Sequence, residues 1–315
     1  MGNTPYLPGR RRLLRLAGGA LAVGALPQAV RPVDARSTTD TITTRTIPAS
    51  GERLPVIGMG TWITFNVGKD ETARNRRTQV LRTFLERGGR LVDSSPMYGS
   101  SEAVIGHALE QLEDRHDLFA ASKVWTPSGS EGRSQIERSE RLWGIERFDL
   151  MQIHNLVAWE EHMDTLLAMR ESGRLRYVGI TTSHGRRHGD IERIMREHPI
   201  DFVQASYSLA NRAVEERILP LARERGIAFI ANRPFQGGRL IDRVKRHPLP
   251  DWAAEAGMRN WADFLLKFIV AHPAVTCAIP ATSRVEHMQE NMDALTGRLP
   301  DEPLRRRMFE HVRGL

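Results

Sequence analysis

Asp93, Lys123 and His154 each follow an apolar run, and Tyr98 stands five residues beyond Asp93 in the stretch LVDSSPMYGSSEAVIG over 91–106. Ser94, Ser95 and Pro96 interrupt any strand. The stretch therefore reads as a strand delivering an acid to its own C-terminal tip, a loop presenting a phenol, and a helix N-capped by Ser100 or Ser101 with Glu102 in its first turn. A free phenol has a pKa near ~10 and exchanges protons slowly at neutral pH. An ammonium beside it favours phenolate and lowers that value, while an acid paired with the ammonium fixes it in place. An imidazole nearby can orient an oxygen or pass the proton on. The chemistry is general acid catalysis, worth roughly 10²- to 10⁴-fold by itself. Singly, Lys123 reads as surface charge and His154 as a satisfied core imidazole. Four such residues at successive strand ends outweigh those alternatives.

Positioning them requires strands that end at one rim. Strand-like runs recur at 56–60, 91–93, 118–122, 148–153, 177–181, 202–205, 227–231 and 276–279, eight in all. Segments of helical period lie between them, for example at 78–87, 102–112, 160–171, 190–197, 213–225, 261–270 and 285–295. Gly88, Gly173 and Gly226 stand where helices should stop. Such alternation calls for a parallel sheet, and eight repeats in the 279 residues beyond position 36 match a closed α/β barrel of the (β/α)8 TIM type. A β-run over 37–47, a turn at 48–52 and a second apolar run from Leu54 place a hairpin ahead of the barrel, or a strand entering the main sheet. A doubly wound open sheet ranks second, because the nearest phosphate fingerprint, Gly58 to Gly60, lacks its third glycine and its helix. The connection over 233–260, containing PFQGGRL and HPLPDW, is long enough to suggest a functional loop.

Composition narrows the partners. The 315 residues carry a formal +7, but six arginines at 10, 11, 12, 15, 31 and 36 set against Asp34 account for +5 of it. The remaining +2 shows no basic stripe with interleaved aromatics, which argues against nucleic-acid binding. One cysteine, Cys277, excludes an intrachain disulfide and a thiolate zinc cluster, and no metal is expected. Arg10 and Arg11, one variable residue, Leu13, Leu14 and Arg15 precede a weakly apolar, Gly/Ala-rich run over 16–26. This resembles a twin-arginine export signal, with VDA at 33–35 as a cleavage site. The resemblance implies a signal over 1–36, a mature domain over 37–315 without stable membrane insertion, and a periplasmic location, or a cytoplasmic one if the signal is silent.

Five segments in order resemble the aldo-keto reductase family. They are RTIPASGERLPVIGMGTW as opening hairpin and first strand, GGRLVDSSPMYGSSEAVIG as the acid-plus-tyrosine signature, ASKVW and QIHN as the lysine and histidine segments, and AIPATSRVEHMQEN as the cofactor-phosphate segment. The resemblance runs from about Arg45 to Leu295. It implies an NADPH-dependent reduction of aldehydes or ketones, with a hydride from nicotinamide and a proton from Tyr98, assisted by Asp93, Lys123 and His154. It implies that Asp93, Thr61, Trp62, Thr181, Thr182, Gln204, Asn232, Arg233, Pro234 and Phe235 surround the nicotinamide end. Ser283, Arg284, Glu290 and Asn291 would hold the adenosine end, Arg284 having the charge for a 2′-phosphate.

Two positions depart from the family's habit. Thr181-Thr182 stands where Ser-Asn is usual, and Asn232 stands where an aromatic usually stacks on nicotinamide, a loss of roughly 1 kcal/mol unless Phe235 or Trp125 compensates. A non-catalytic nicotinamide-binding partner protein of the same shape is therefore the alternative, and a barrel isomerase or aldolase with Lys123 as Schiff base is a third. Trp62, Phe65, Trp125, Trp159 and the 233–260 loop are expected to form an apolar mouth for a small carbonyl substrate. Oligomeric state is left open.

Overall fold

The structure, a computed structural model, describes residues 41–113 and 117–315. The signal expected over 1–36 lies outside the described residues. The described residues open with an antiparallel hairpin, β1 (Thr44–Thr46) on β2 (Arg53–Pro55), with Arg45 opposite Leu54. Eight parallel strands follow in sequential order: β3 (Met59–Gly60), β4 (Leu91–Asp93), β5 (Phe119–Val124), β6 (Leu150–His154), β7 (Tyr177–Thr181), β8 (Phe202–Ser206), β9 (Ala228–Asn232) and β10 (Cys277–Ala278). Single bridges pairing Ile57 with Ala278 and Gly60 with Ala281 join the last strand to the first. The result is the expected (β/α)8 barrel preceded by a hairpin. Around it run α1 (Glu71–Glu86), α2 (Ser101–Glu110), α3 (Gly129–Trp143), α4 (Trp159–Glu171), α5 (His188–Glu197), α6 (Ile218–Arg225), α7 (Arg239–Val244), α8 (Asp251–Glu255), α9 (Trp261–Val270), α10 (Val285–Met292) and α11 (Glu302–Gly314). No helix among the described residues is long and apolar enough to cross a membrane.

Strand periodicity explains how one cylinder is greasy at one end and reactive at the other. Alternate residues share a face, so Phe119, Ala121 and Lys123 form one column, Leu150, Gln152 and His154 the next, then Phe202, Gln204 and Ser206. Each column starts apolar and ends polar. The first residues of seven strands, Leu91, Phe119, Leu150, Tyr177, Phe202, Ala228 and Cys277, cluster with Ile47 and Leu54 of the hairpin segment in a core of their own. The intervening residues, among them Val92, Met151, Ile153, Val178, Ile180, Val203 and Phe229, join the helices in a second, larger core. The hairpin thus stoppers the N-terminal end, held also by Tyr177 Oη on Ser50 Oγ at 2.6 Å and by Arg90 on Glu52 at 3.1 Å. At the wall, α2 and α3 touch through Gly106, where a Cβ would lie 1.9 Å from the Leu142 carbonyl oxygen.

Several boundaries differ from expectation for local reasons. The segment over 213–225 is broken into a 3-10 turn (Ala213–Glu215) and α6, because Pro220 lacks an N–H and its ring is tolerated only in a first turn. The strand expected over 118–122 runs on to Val124, so Lys123 lies within β5 rather than after it. The 233–260 connection is no plain loop, since it contains α7 and α8. Gly88, Gly173 and Gly226 take positive φ values of 85°, 74° and 66° at helix ends, as expected.

Candidate active site

The polar ends of the columns converge at the C-terminal mouth. Lys123, 1% exposed, donates to Asp93 Oδ2 at 2.6 Å and to the Ser94 carbonyl at 2.6 Å. The other carboxylate oxygen of Asp93 accepts from the amides of Gln152 and Gln204, each at 3.0 Å. Four barrel strands therefore fix one buried ion pair, and its lone pairs are satisfied, the condition under which such a pair is tolerated. The Lys123 ammonium lies 5.1 Å from the centre of the Tyr98 ring. Burial works to lower the lysine's pKa, but Asp93 and Tyr98 more than offset it, and the value lies above the ordinary one.

Tyr98 ends a 3-10 turn (Pro96–Tyr98) whose cap is Ser95, with Pro96 preset for a first turn. Burial raises the phenol's pKa more than the Lys123 charge lowers it. The expectation that Lys123 brings the phenol down is thus corrected: the lysine acts in that direction, and desolvation outweighs it. Tyr98 is a protonated phenol at neutral pH. His154 meets it edge-on, ring centres 5.7 Å apart and planes at 86°. Burial first, then the Lys123 charge, depress the imidazole to about 3, so the ring is neutral. Behind Lys123, Glu102 is buried and accepts from Ser122 at 2.7 Å and Ser139 at 2.9 Å, its carboxyl pushed up mainly by burial.

Tyr98 and His154 face a cavity of about 350 Å³, also lined by Asp93, Thr61, Trp62, Thr181, Gln204, Asn232, Arg233, Pro234 and Phe235. Thr61 Oγ1 bonds the Asp93 carbonyl and Ser94 Oγ, each at 2.9 Å. Gln204 is committed on both amide atoms, donating to Asp93 and Gln152 and accepting from Thr181 at 3.1 Å and Asn232 at 3.3 Å. Asn232 offers no stacking face. Its amide donates to the Thr182 carbonyl at 2.9 Å and accepts from Ser206 at 2.8 Å, tying three strands together. Thr182, expected beside the nicotinamide, does not line this cavity; its buried hydroxyl has no partner among the described residues. Arg233 lies over the Trp62 ring at 5.4 Å.

Other expected residues lie elsewhere. Ser283, Arg284, Glu290 and Asn291 are outside this cavity, on the segment that leaves it at Ala281; Arg284 and Glu290 are exposed, and Asn291 is buried. Phe65 and Trp159 belong to the outer core, not the mouth, and Trp125 is exposed without lining the cavity. Phe235 is therefore the aromatic left to compensate for Asn232. Of the 233–260 segment only its first residues, as far as Gly238, reach the cavity. Ser95, Gln152 and Ser206 were missed. The last two carry a signal, since each stands two residues from a neighbour already pointing inward, His154 or Gln204. Among the described residues no group of three His, Cys, Asp or Glu side chains is placed to hold a metal ion.

An eight-stranded parallel barrel with this quartet at its C-terminal mouth defines a class, and residues 56–307 match the model of the Aldo/keto reductase family. The chain belongs to that family. It is 28% identical over 249 residues to methylglyoxal reductase YeaE of Escherichia coli, covering 77% of this chain and 86% of that protein. Among solved structures it is similar in fold to an aldo/keto reductase from Klebsiella pneumoniae in complex with NADP and acetate, with a TM-score of 0.71 at 23% identity over 83% of this chain and 93% of that one. An aldo-keto reductase from Bacillus halodurans superposes with a TM-score of 0.70 at 23% identity, over 86% of this chain and 96% of the other.

Proposed function

We propose that this protein reduces aldehyde or ketone carbonyls to alcohols with NADPH. The observation that carries the reading is the buried Asp93–Lys123 pair beneath a protonated Tyr98 phenol, opening on a cavity beside a neutral His154. The names of YeaE and of the NADP-bound Klebsiella protein support the same class. The residues fit the cofactor. The polar wall of Thr181, Gln204 and Asn232 suits the nicotinamide carboxamide, with Thr182 next in the chain behind it and Thr61, Trp62, Arg233, Pro234 and Phe235 around the same end. Ser283, Glu290 and Asn291 would hold the adenosine. The Arg284 guanidinium, exposed and held among the described residues by Glu286 at 3.5 Å, has the charge and reach for a 2′-phosphate.

NADPH bound there would supply the hydride. Tyr98 gives its proton to the carbonyl oxygen as negative charge develops, and the adjacent ammonium stabilises the phenolate left behind. Asp93 holds that ammonium in place. Lys123 as a Schiff-base nucleophile is disfavoured, because its nitrogen is protonated and already donates to Asp93 and Ser94. Exposed Trp62, Ile63 and Met97 give the mouth an apolar rim suited to hydrophobic carbonyls.

The test is aldehyde-dependent NADPH oxidation. Tyr98→Phe should lower it by at least ~10²-fold while NADPH binding, followed by fluorescence, is kept. Tight NADPH binding with no turnover of any aldehyde would favour the non-catalytic partner protein. We further propose that residues 1–36 direct export to the periplasm; replacing Arg10 and Arg11 with lysine should retain the protein in the cytoplasmic fraction.

A further inference from the structure

Ser95 has so far served only to cap the turn that ends on Tyr98. Its Oγ also lies 2.8 Å from His154 Nδ1, and it accepts the Met97 N–H at 3.2 Å. The residue is wholly buried, and those are the hydroxyl's partners among the described residues. A hydroxyl has one proton to give, and among the described residues the acceptor it meets is Nδ1. Were Nδ1 protonated instead, Ser95 would accept twice and its own proton would be buried without a partner, the costlier arrangement. A neutral imidazole has a single N–H, so with Nδ1 accepting, the proton sits on Nε2. Nε2 has no partner among the described residues, and His154 lines the cavity.

We propose that Ser95 is a positioning residue that fixes His154 as the Nε2–H tautomer, so that the ring meets the cavity as a hydrogen-bond donor. This rests on the carbonyl-reductase reading for its purpose: a donor stabilises charge growing on a carbonyl oxygen, whereas a bare ring nitrogen would repel it. One hydroxyl then sets both the turn that delivers the phenol and the direction of the imidazole's proton.

The tautomer can be read without turnover. Two-bond ¹⁵N–¹H correlations of ¹⁵N-histidine-labelled protein, assigned with His154→Gln, should show His154 protonated at Nε2. Ser95→Ala should shift it toward Nδ1–H and lower kcat roughly 10-fold, with aldehyde KM and NADPH affinity little changed. An Nδ1–H ring in the unaltered protein, or an unchanged ring in folded Ser95→Ala, overturns the proposal. If Ser95→Ala does not fold, the spectrum of the unaltered protein decides alone. A protein that shows the Nε2–H ring yet reduces no carbonyl keeps the tautomer and loses the reductase reading, so the two failures are distinct.

Discussion

Among the described residues two aspartate–lysine pairs are buried, and one of them, through Asp93, lines the cavity at the barrel mouth. Asp93 and Lys123 come from neighbouring strands and meet at 2.6 Å; Asp263 and Lys267 stand one turn apart on α9 and meet at 3.0 Å. All four side chains are almost wholly buried. The helix pair binds backbone: Lys267 donates to the Gly257 carbonyl at 3.2 Å, and Asp263 accepts the Arg259 N–H at 2.8 Å. It pins the start of α9 to the turn before it. The barrel pair also binds a backbone carbonyl, that of Ser94, but has in addition a phenol over its ammonium. Burial raises the Asp263 carboxyl against the pull of Lys267, so a perturbed acid also occurs away from the active-site cavity. A buried ion pair is therefore no sign of catalysis by itself; a third proton-carrying group and an open face are what separate the two.

The contrast can be broken in four ways. Lys123→Met should lower kcat for aldehyde reduction on the order of 10³-fold, about 4 kcal/mol of barrel-mouth electrostatics, while Lys267→Met leaves kcat within ~2-fold; equal losses would erase the distinction. In urea titrations Lys267→Met should destabilise the fold by about 3 kcal/mol, because Asp263 is left buried and unpaired. The third effect comes from His154. Its folded pKa of about 3 lies below the ordinary 6.5, so the unfolded chain binds a proton that the folded chain refuses. Stability is therefore lost as pH falls from 6.5 toward 3, by about 2 kcal/mol between pH 7 and pH 5 from this residue, and His154→Gln should flatten that slope. Smallest of all, Asp263→Asn combined with Lys267→Met should return to within ~1 kcal/mol of the parent, since a neutral pair keeps the acceptor for Arg259.

The same comparison shows what could be read from the chain. Asp263 and Lys267 are four apart, a spacing visible in any helical segment. Asp93, Tyr98, Lys123 and His154 were legible because each follows an apolar run, and a closed barrel gathers strand ends wherever they fall in sequence. What supports them was not. Ser95 and His154 are 59 residues apart, and Gln204 reaches Asp93 across 111. Such contacts depend on barrel register, which no local pattern encodes. The helix Gly129–Trp143 was not singled out, since its first turn is all Gly, Ser and Glu and its buried apolar side chains are Ile136 and Trp143, seven residues apart. Phe65 and Trp159 misled for the opposite reason: aromatic type suggests a binding wall as readily as a core, and only packing separates the two.

Ile47 and Leu54, packed against the first residues of the barrel strands, cork that end of the cylinder. The cavity lies at the opposite end, so the stopper can be altered without touching a cavity-lining residue.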